Sequence, residues 1–413
     1  MPVHSPPPRG FSTAEFEARL DRAQRLMRAG ELDALLLTSE PEIRYFSGFF
    51  IELWESPTRP WFLVVPTQGK PVAVIPEIGG AAMEQSWIED IRTWPAPAPP
   101  DDGLSLLGRT LREIAGAGGT VGLPMGHETR LGMPLAAFDA LRARSENKFT
   151  DATSIIRALR LVKSAAEVAK IKHICAIVSG AYSALPALVA PEATTDEIFR
   201  AFRVELLRRG ADDVPYLVGS VGWDGYGDIV SAPRAEQLQP GSILVLDTGA
   251  RFDGYFCDFN RNFATGSRSD AARRAHDILY QATAAGLDAA RPGATCAQLY
   301  RQMAQVLEAA GSADAAGGGG TAGRMGHGLG MQLTEWPSLA PWDETVLAPG
   351  MVITLEPYLR LGPGRMMVHE ENIVIREDGA ELLTRRTPAE IPLLPTNDSH
   401  STSDRDYDAP TTY

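Results

Sequence analysis

ILVLDTGARFDGYFCD, residues Ile243–Asp258, decides how the second half of this 413-residue chain is read. One apolar run leads into Asp247 and a second leads into Asp258, with turn-forming residues between them. That is the pattern of a β-hairpin carrying a carboxylate on each strand. With Arg251–Gly254 as a four-residue loop, positions whose numbers sum to 505 face each other, so Asp247 stands opposite Asp258. Like charges set opposite each other in apolar company destabilise a hairpin, and a cation or a shared proton is needed to hold them there. The bland alternative is a solvated turn with two incidental acids.

Farther on, MVITLEPYLRLGPGRMMVHEENIVI, residues Met351–Ile375, repeats the arrangement with Glu356 and Glu370 on either side of Gly362–Gly364. A three-residue loop pairs positions summing to 726 and sets Glu356 opposite Glu370. Alternation along the strand turns His369 and Glu371 to the other face. Two apolar hairpins with paired acids point to a binuclear carboxylate site for divalent ions. His327, in GRMGHGLGMQLTEWP (Gly323–Pro337), supplies a nitrogen ligand, and the glycines beside it permit close backbone approach.

The bulk numbers fit a globular, metal-binding protein. At 413 residues the chain exceeds one ordinary core and predicts two domains. Hydrophobic content of 44% with 22% charged residues is that of a globular protein. No stretch approaches the roughly 18 consecutive apolar residues of a membrane span, and MPVHSPPPRG at the start lacks the apolar core of a secretory signal. The cytoplasm is the expected location, with no membrane partner. Cys175, Cys257 and Cys296 are odd in number and widely spaced, so neither a disulfide framework nor a thiolate zinc site is indicated. A net charge of −13 without an offsetting Lys/Arg cluster argues against nucleic acid and accommodates a small or cationic substrate.

Working outward, helical spacing over residues 12–29 passes into strand-like runs at 32–37, 61–65 and 71–75, and a proline-rich segment at 94–100 interrupts regular structure. A long helical pattern beginning near residue 157 marks the passage between domains. Beyond it come a helix at 194–210, strands at 242–246 and 255–263, helices at 269–290 and 296–310, and strands at 351–358 and 366–375. The second half therefore reads as hairpin, helices, hairpin. The expected domains are residues 11–155 and 156–393, with 394–413 a polar, disordered tail.

With these residues assembled, the chain resembles, over about residues 12–383, the pita-bread metallohydrolases of the creatinase, aminopeptidase P and prolidase type. The resemblance rests on Asp247 and Asp258 followed by FNRNF, on GHGLG around His327, on LEP at Glu356 and on EENIVIREDG led by Glu370. LDALLLTSEPEIRYFSGFF (Leu32–Phe50) is similar to the N-terminal domain of the creatinase branch. It implies an α+β protein, a creatinase-type α/β domain followed by a pita-bread domain. It further implies two divalent ions (manganese, iron, cobalt or zinc) bridged by Asp258 and Glu370, with Asp247 on one ion and His327 and Glu356 on the other. A hydroxide shared by the ions would attack an amide carbonyl, Glu356 would carry the proton to the leaving nitrogen, and a homodimer would place Trp54, Glu55, Arg59 or Trp61 near a substrate.

The chain departs from that family at three places. Ser231 stands where a histidine precedes the first aspartate, Thr334 stands where a second histidine precedes Glu335, and Val368 replaces an arginine. Hydroxyls donate hydrogen bonds but cannot supply a proton near neutral pH. The stretch PYLVGSVGWDGYGDIVSAP, with Tyr216, Trp223, Asp224 and Tyr226, offers an aromatic and acidic lining that would suit a cation. The expected activity is that of an Xaa-Pro dipeptidase or aminopeptidase on a short peptide. The alternatives are hydrolysis or elimination on a small osmolyte or onium compound, as in relatives acting on ectoine or dimethylsulfoniopropionate, and a catalytically silent binding protein on the same fold.

Overall fold

The computed structural model describes residues 5–56, 59–99, 101–311 and 323–396. It divides into two compact units, one from Pro8 to Val162 and the other from Lys163 onward.

In the first unit, α1 (Thr13–Ala29) starts where the Ser12 hydroxyl accepts from the Glu15 amide and ends at Gly30. β1 (Ala34–Leu37), ALLL, is buried on both faces, and α2 (Glu40–Ser47) ends on Gly48 in the left-handed region. There follow β2 (Phe62–Pro66), β3 (Val72–Pro76), the single-turn α3 (Gly80–Met83), β4 (Asp90–Trp94), α4 (Leu104–Ala115), β5 (Thr120–Leu123), α5 (Leu135–Arg144), β6 (Lys148–Asp151) and α6 (Thr153–Leu161). The strands form one mixed sheet in the order β4-β3-β2-β1-β5-β6. The apolar face of α4, through Leu107 and Leu111, packs with Leu36, Phe62, Val64 and Val121.

The unit runs seven residues past the expected boundary because α6 is tied back into it. Arg22 donates to the carbonyls of Ala158 and Leu159, Tyr45 donates to Leu159, and Arg160 and Glu42 form a buried pair at 3.2 Å.

The long helical pattern is broken in two. α7 (Ala165–Leu188) begins afresh at a capping box in which Ser164 and Glu167 satisfy each other's backbone amides. This helix is long and apolar enough to cross a membrane, but half of its most apolar window is buried. Lys170 within it is buried against Asp253 at 2.6 Å, as in the core helix of a folded domain.

After α8 (Thr195–Arg208) come β7 (Asp213–Trp223), β8 (Ser242–Phe252), β9 (Tyr255–Phe256) and β10 (Phe259–Thr265). Then follow α9 (Asp270–Ala289), α10 (Cys296–Ala309), β11 (His327–Gly328), β12 (Glu335–Ser338), β13 (Val352–Leu355), β14 (Tyr358–Gly362), β15 (Arg365–Val368), β16 (Glu371–Arg376), β17 (Gly379–Leu382) and β18 (Leu393–Leu394). One sheet runs β18-β10-β8-β7, another β12-β11-β13-β16-β17, and β14-β15 form a ribbon.

Leu394, placed in the tail from sequence, is instead a strand residue beside Thr265. Residues 397–413 of that expected tail lie outside the described residues. β7 was not anticipated. It is an edge strand, where Pro215 is tolerated beside a register shift between Asp213 and Tyr216, and Gly219 and Gly222 weaken its alternating pattern.

The first hairpin corrects the predicted register. Asp253 and Gly254 both have positive φ, 49° and 82°, which makes a two-residue primed turn in place of a four-residue loop. Arg251 then pairs with Phe256 and Asp247 with Asn260, so paired numbers sum to 507. Asp258 is thus diagonal to Asp247 on the same face. In the second hairpin Leu355 pairs with Glu371 and Tyr358 with Val368, so both flanks keep the sum of 726 that aligns Glu356 with Glu370.

Candidate metal centre

Five elements deliver the acidic and imidazole groups: β8 carries Asp247, the step into β10 carries Asp258, β11 carries His327, and the irregular steps after β13 and before β16 carry Glu356 and Glu370. Asp258, His327 and Glu370, all buried, each offer a ligand atom, and these atoms lie within 4.8 Å of one another. His327 Nε2 is 3.4 Å from Asp258 Oδ2 and 3.9 Å from Glu356 Oε1. Glu356 and Glu370 share a hydrogen bond.

The glycines around His327 are required by backbone contact. A Cβ on Gly328 would meet the Trp336 carbonyl oxygen at 1.9 Å, and one on Gly326 the Thr354 oxygen at 2.2 Å. The imidazole is held by its Nδ1, 2.8 Å from the Gly328 carbonyl oxygen. A carbonyl only accepts, so Nδ1 carries the hydrogen and Nε2 turns its lone pair toward the carboxylates.

Burial pushes all four carboxyl groups above the ordinary range. For Asp247 the next causes are Asp258 and Glu356, and for Glu370 they are Asp258, Glu356 and Asp247. Burial dominates for Asp258 and Glu356. Asp247 Oδ1, Glu370 Oε1 and Asn260 Oδ1 are buried with no hydrogen-bond partner among the described residues. Acceptors facing acceptors, with orphaned oxygens and one imidazole lone pair, make a donor set able to hold divalent cations.

A second layer fixes these groups, and sequence reading passed over it. Asn260 Nδ2 donates to Glu370 Oε2 at 3.2 Å, Arg261 donates to the Glu370 carbonyl at 2.7 Å, and Asn262 donates to the Val368 carbonyl at 2.7 Å. Asn372 brackets Asp258 from the other hairpin, donating to its carbonyl and accepting from its amide at 3.0 Å. FNRNF is therefore a polar rivet between two sheets. The available signal was three consecutive polar residues in a fully buried strand.

The residues singled out as substrate contacts do not converge. Tyr216 reaches the centre, its hydroxyl donating to Asp247 Oδ2 at 3.2 Å; burial and the facing carboxylates keep that hydroxyl protonated. Tyr226 is buried, donating to Asn262 at 3.0 Å and accepting from the Val368 amide at 2.7 Å. It serves as a strut between strands. Trp223 is 60% exposed, and Asp224 faces Arg365 at 3.8 Å, so no aromatic and acidic box for a cation forms.

Ser231 donates to Asp228 Oδ2 at 2.9 Å, which commits its hydroxyl proton to that carboxylate. Glu335 pairs with Lys163 at 3.2 Å, both 2% exposed, and accepts from the Gln332 amide, so its carboxylate is engaged in a buried ion pair. Thr334 lies in the bend before β12. Trp54, in the first unit, packs with Phe49 and Trp61.

Paired hairpins flanking two helices, with acids and an imidazole at their inner ends, define the pita-bread class of metallohydrolases. The model of metallopeptidase family M24 matches residues 169–377, and that of the creatinase/prolidase N-terminal domain matches residues 19–162.

The chain belongs to metallopeptidase family M24, and so is a metal-dependent hydrolase that works with divalent ions. A probable dipeptidase PepE of Mycobacterium bovis is 27% identical over 400 residues, covering 94% of this chain and 99% of the relative. An Xaa-Pro dipeptidase of Pyrococcus furiosus is 26% identical over 379 residues, covering 90% and 98%. The crystal structure of dipeptidase PepE from Mycobacterium ulcerans superposes with a TM-score of 0.79 at 27% identity, covering 94% of this chain and all of that one.

Proposed function

We propose that this protein is a dipeptidase of the Xaa-Pro type that hydrolyses an amide bond at two divalent cations. The observation that carries the reading is the convergence of Asp258, His327 and Glu370 within 4.8 Å, with Asp247 and Glu356 completing the donor set. Asp247, Asp258, His327, Glu356 and Glu370 would together hold the ions. Bound there, the cations would acidify water and polarise the substrate carbonyl.

The chain's own residues then supply the proton path. Among Asp258, His327 and Glu356, the side chain of Glu356 is the most open, at 20% exposure against 7% and 5%. Its raised pKa suits it to accept a proton from water at Oε1 and pass it to the leaving nitrogen. Tyr216, held protonated, orients Asp247, and Asn260 of β10 holds Glu370. The dipeptidase reading draws on the Mycobacterium bovis relative and the Xaa-Pro preference on the Pyrococcus furiosus one.

A second reading has one specific observation in its favour. With Ser231 committed to Asp228 and Thr334 in place of an imidazole, the donors expected around a peptide's tetrahedral intermediate are replaced. That favours a small non-peptide amide. Turnover of a panel of Xaa-Pro and other dipeptides, beside small amides and osmolytes, with manganese added, separates the two: no dipeptide turnover refutes the first. Glu356→Gln is expected to lose most turnover, on the order of 100-fold or more, while retaining most bound metal; wild-type turnover in that variant refutes its role.

A further inference from the structure

The first unit carries a cleft of about 250 Å³ between α4 and α5 that the proposed hydrolysis does not use. It is lined by Arg109, Arg112 and Arg144 together with Leu104, Ser105, Gly108, Leu141 and Ser145. Three cations in one cleft run against a chain whose net charge is −13. Arg112 shares Glu146 at 3.4 Å, with both side chains more than half exposed. Arg109 and Arg144 make no ion pair with any described residue. Glu113, the acid next along α4, is turned to Arg92 at 2.6 Å.

Ordinary helix electrostatics account for only part of this. Arg144 lies in the last turn of α5, where a cation complements the helix dipole. Arg109 and Arg112 stand three residues apart on one face of α4, a spacing at which like charges repel. The cleft is open there because residue 108 has no side chain. A Cβ there would sit 3.8 Å from Leu141 Cδ1, an ordinary contact. A glycine in mid-helix that nothing requires sterically, and that costs helix stability, keeps a cavity beside the arginines.

We propose that this cleft is a binding site for a compact multivalent oxyanion of the phosphate-ester or polyphosphate kind. Guanidinium forks match such oxygens in pairs, and three of them match a ligand carrying at least two negative charges.

Titrating the full-length protein with inorganic pyrophosphate in low-salt buffer, by calorimetry, tests this. The variants are Gly108→Leu, which fills the cleft without touching charge, and the double variant Arg109→Gln/Arg144→Gln, which removes two exposed cations. Thermal melts confirm that both fold. The expected result is a binding component in the wild type that weakens at least about tenfold in each variant and weakens with added sodium chloride. Pyrophosphate captured by metal ions would persist in both variants. A wild-type isotherm in either variant, or no component beyond one that persists in both, overturns the proposal.

Discussion

Stripping the metal should leave a protein whose stability falls as pH rises from 5.5 to 8, the reverse of ordinary carboxylate behaviour. Asp247, Asp258, Glu356 and Glu370 all have folded-state pKa values raised, first by burial and, except at Asp258, also by facing carboxylates. A carboxyl raised in the fold is easier to ionise when unfolded. Its contribution is complete below the unfolded pKa and is lost as pH rises through the folded one. Glu113, Asp151 and Glu381 have lowered values, so their stabilisation is lost only toward acid, whereas His276 and His369, lowered by burial, add stability as pH rises through the imidazole range and offset part of the fall there.

Each carboxyl that stays protonated in the fold while ionised in the unfolded chain costs about 1.36 kcal/mol per pH unit. For a unit of this size each 1 kcal/mol lowers the melting temperature by roughly 2–4 °C. Saturating divalent ion at about 100 times Kd restores some 2.7 kcal/mol per site, and more as pH rises, because the ligands must lose protons to bind. The assay is scanning calorimetry of chelator-dialysed protein at intervals of half a pH unit, with and without manganese. Equal or greater metal-free stability at pH 8, unchanged by added ion, would refute the reasoning.

Two further outcomes follow from the same geometry. Asp258→Asn removes one of four repelling carboxylates, so metal-free protein at pH 8 is expected to melt higher, by roughly 1–3 kcal/mol of stability, while bound metal and turnover are lost; a lower melting temperature contradicts the electrostatic account. Gly328→Ala drives a Cβ to 1.9 Å from the Trp336 oxygen and displaces the carbonyl that orients His327, so chelator competition should show metal affinity down at least about tenfold, with roughly 2 kcal/mol or more of stability lost in thermal unfolding.

The hairpins were legible because period-two patterning and acids in apolar company are strong local signals. The 726 register came out directly, since a bulged turn at Gly362–Arg365 absorbs the odd residue. The 505 register did not, because Asp253-Gly254 was folded into a longer loop when that dipeptide alone makes a primed turn. The shift of two keeps every side chain on its face, which is why Asp247 and Asp258 still meet. β7 escaped notice because Pro215 and two glycines hide an edge strand, and its aromatic residues were read as a lining. Whether Tyr226 faces a substrate or Asn262 is a long-range question that no local pattern answers. The same holds for Glu335, whose partner Lys163 is 172 positions away.

The second layer shows why the centre and the fold of this unit are hard to separate. β10 is buried along its whole length yet carries Asn260, Arg261 and Asn262. Each spends its polar groups on the segment around Glu370 or its neighbours. An apolar strand would give the metal-free protein a better core. The asparagines instead hold two sheets at a spacing where four carboxylates stay close together and protons cannot all be lost without a cation. The local rules of strand composition and charge pairing are broken at the same residues, and a ligand that repays both costs at once is a pair of divalent ions.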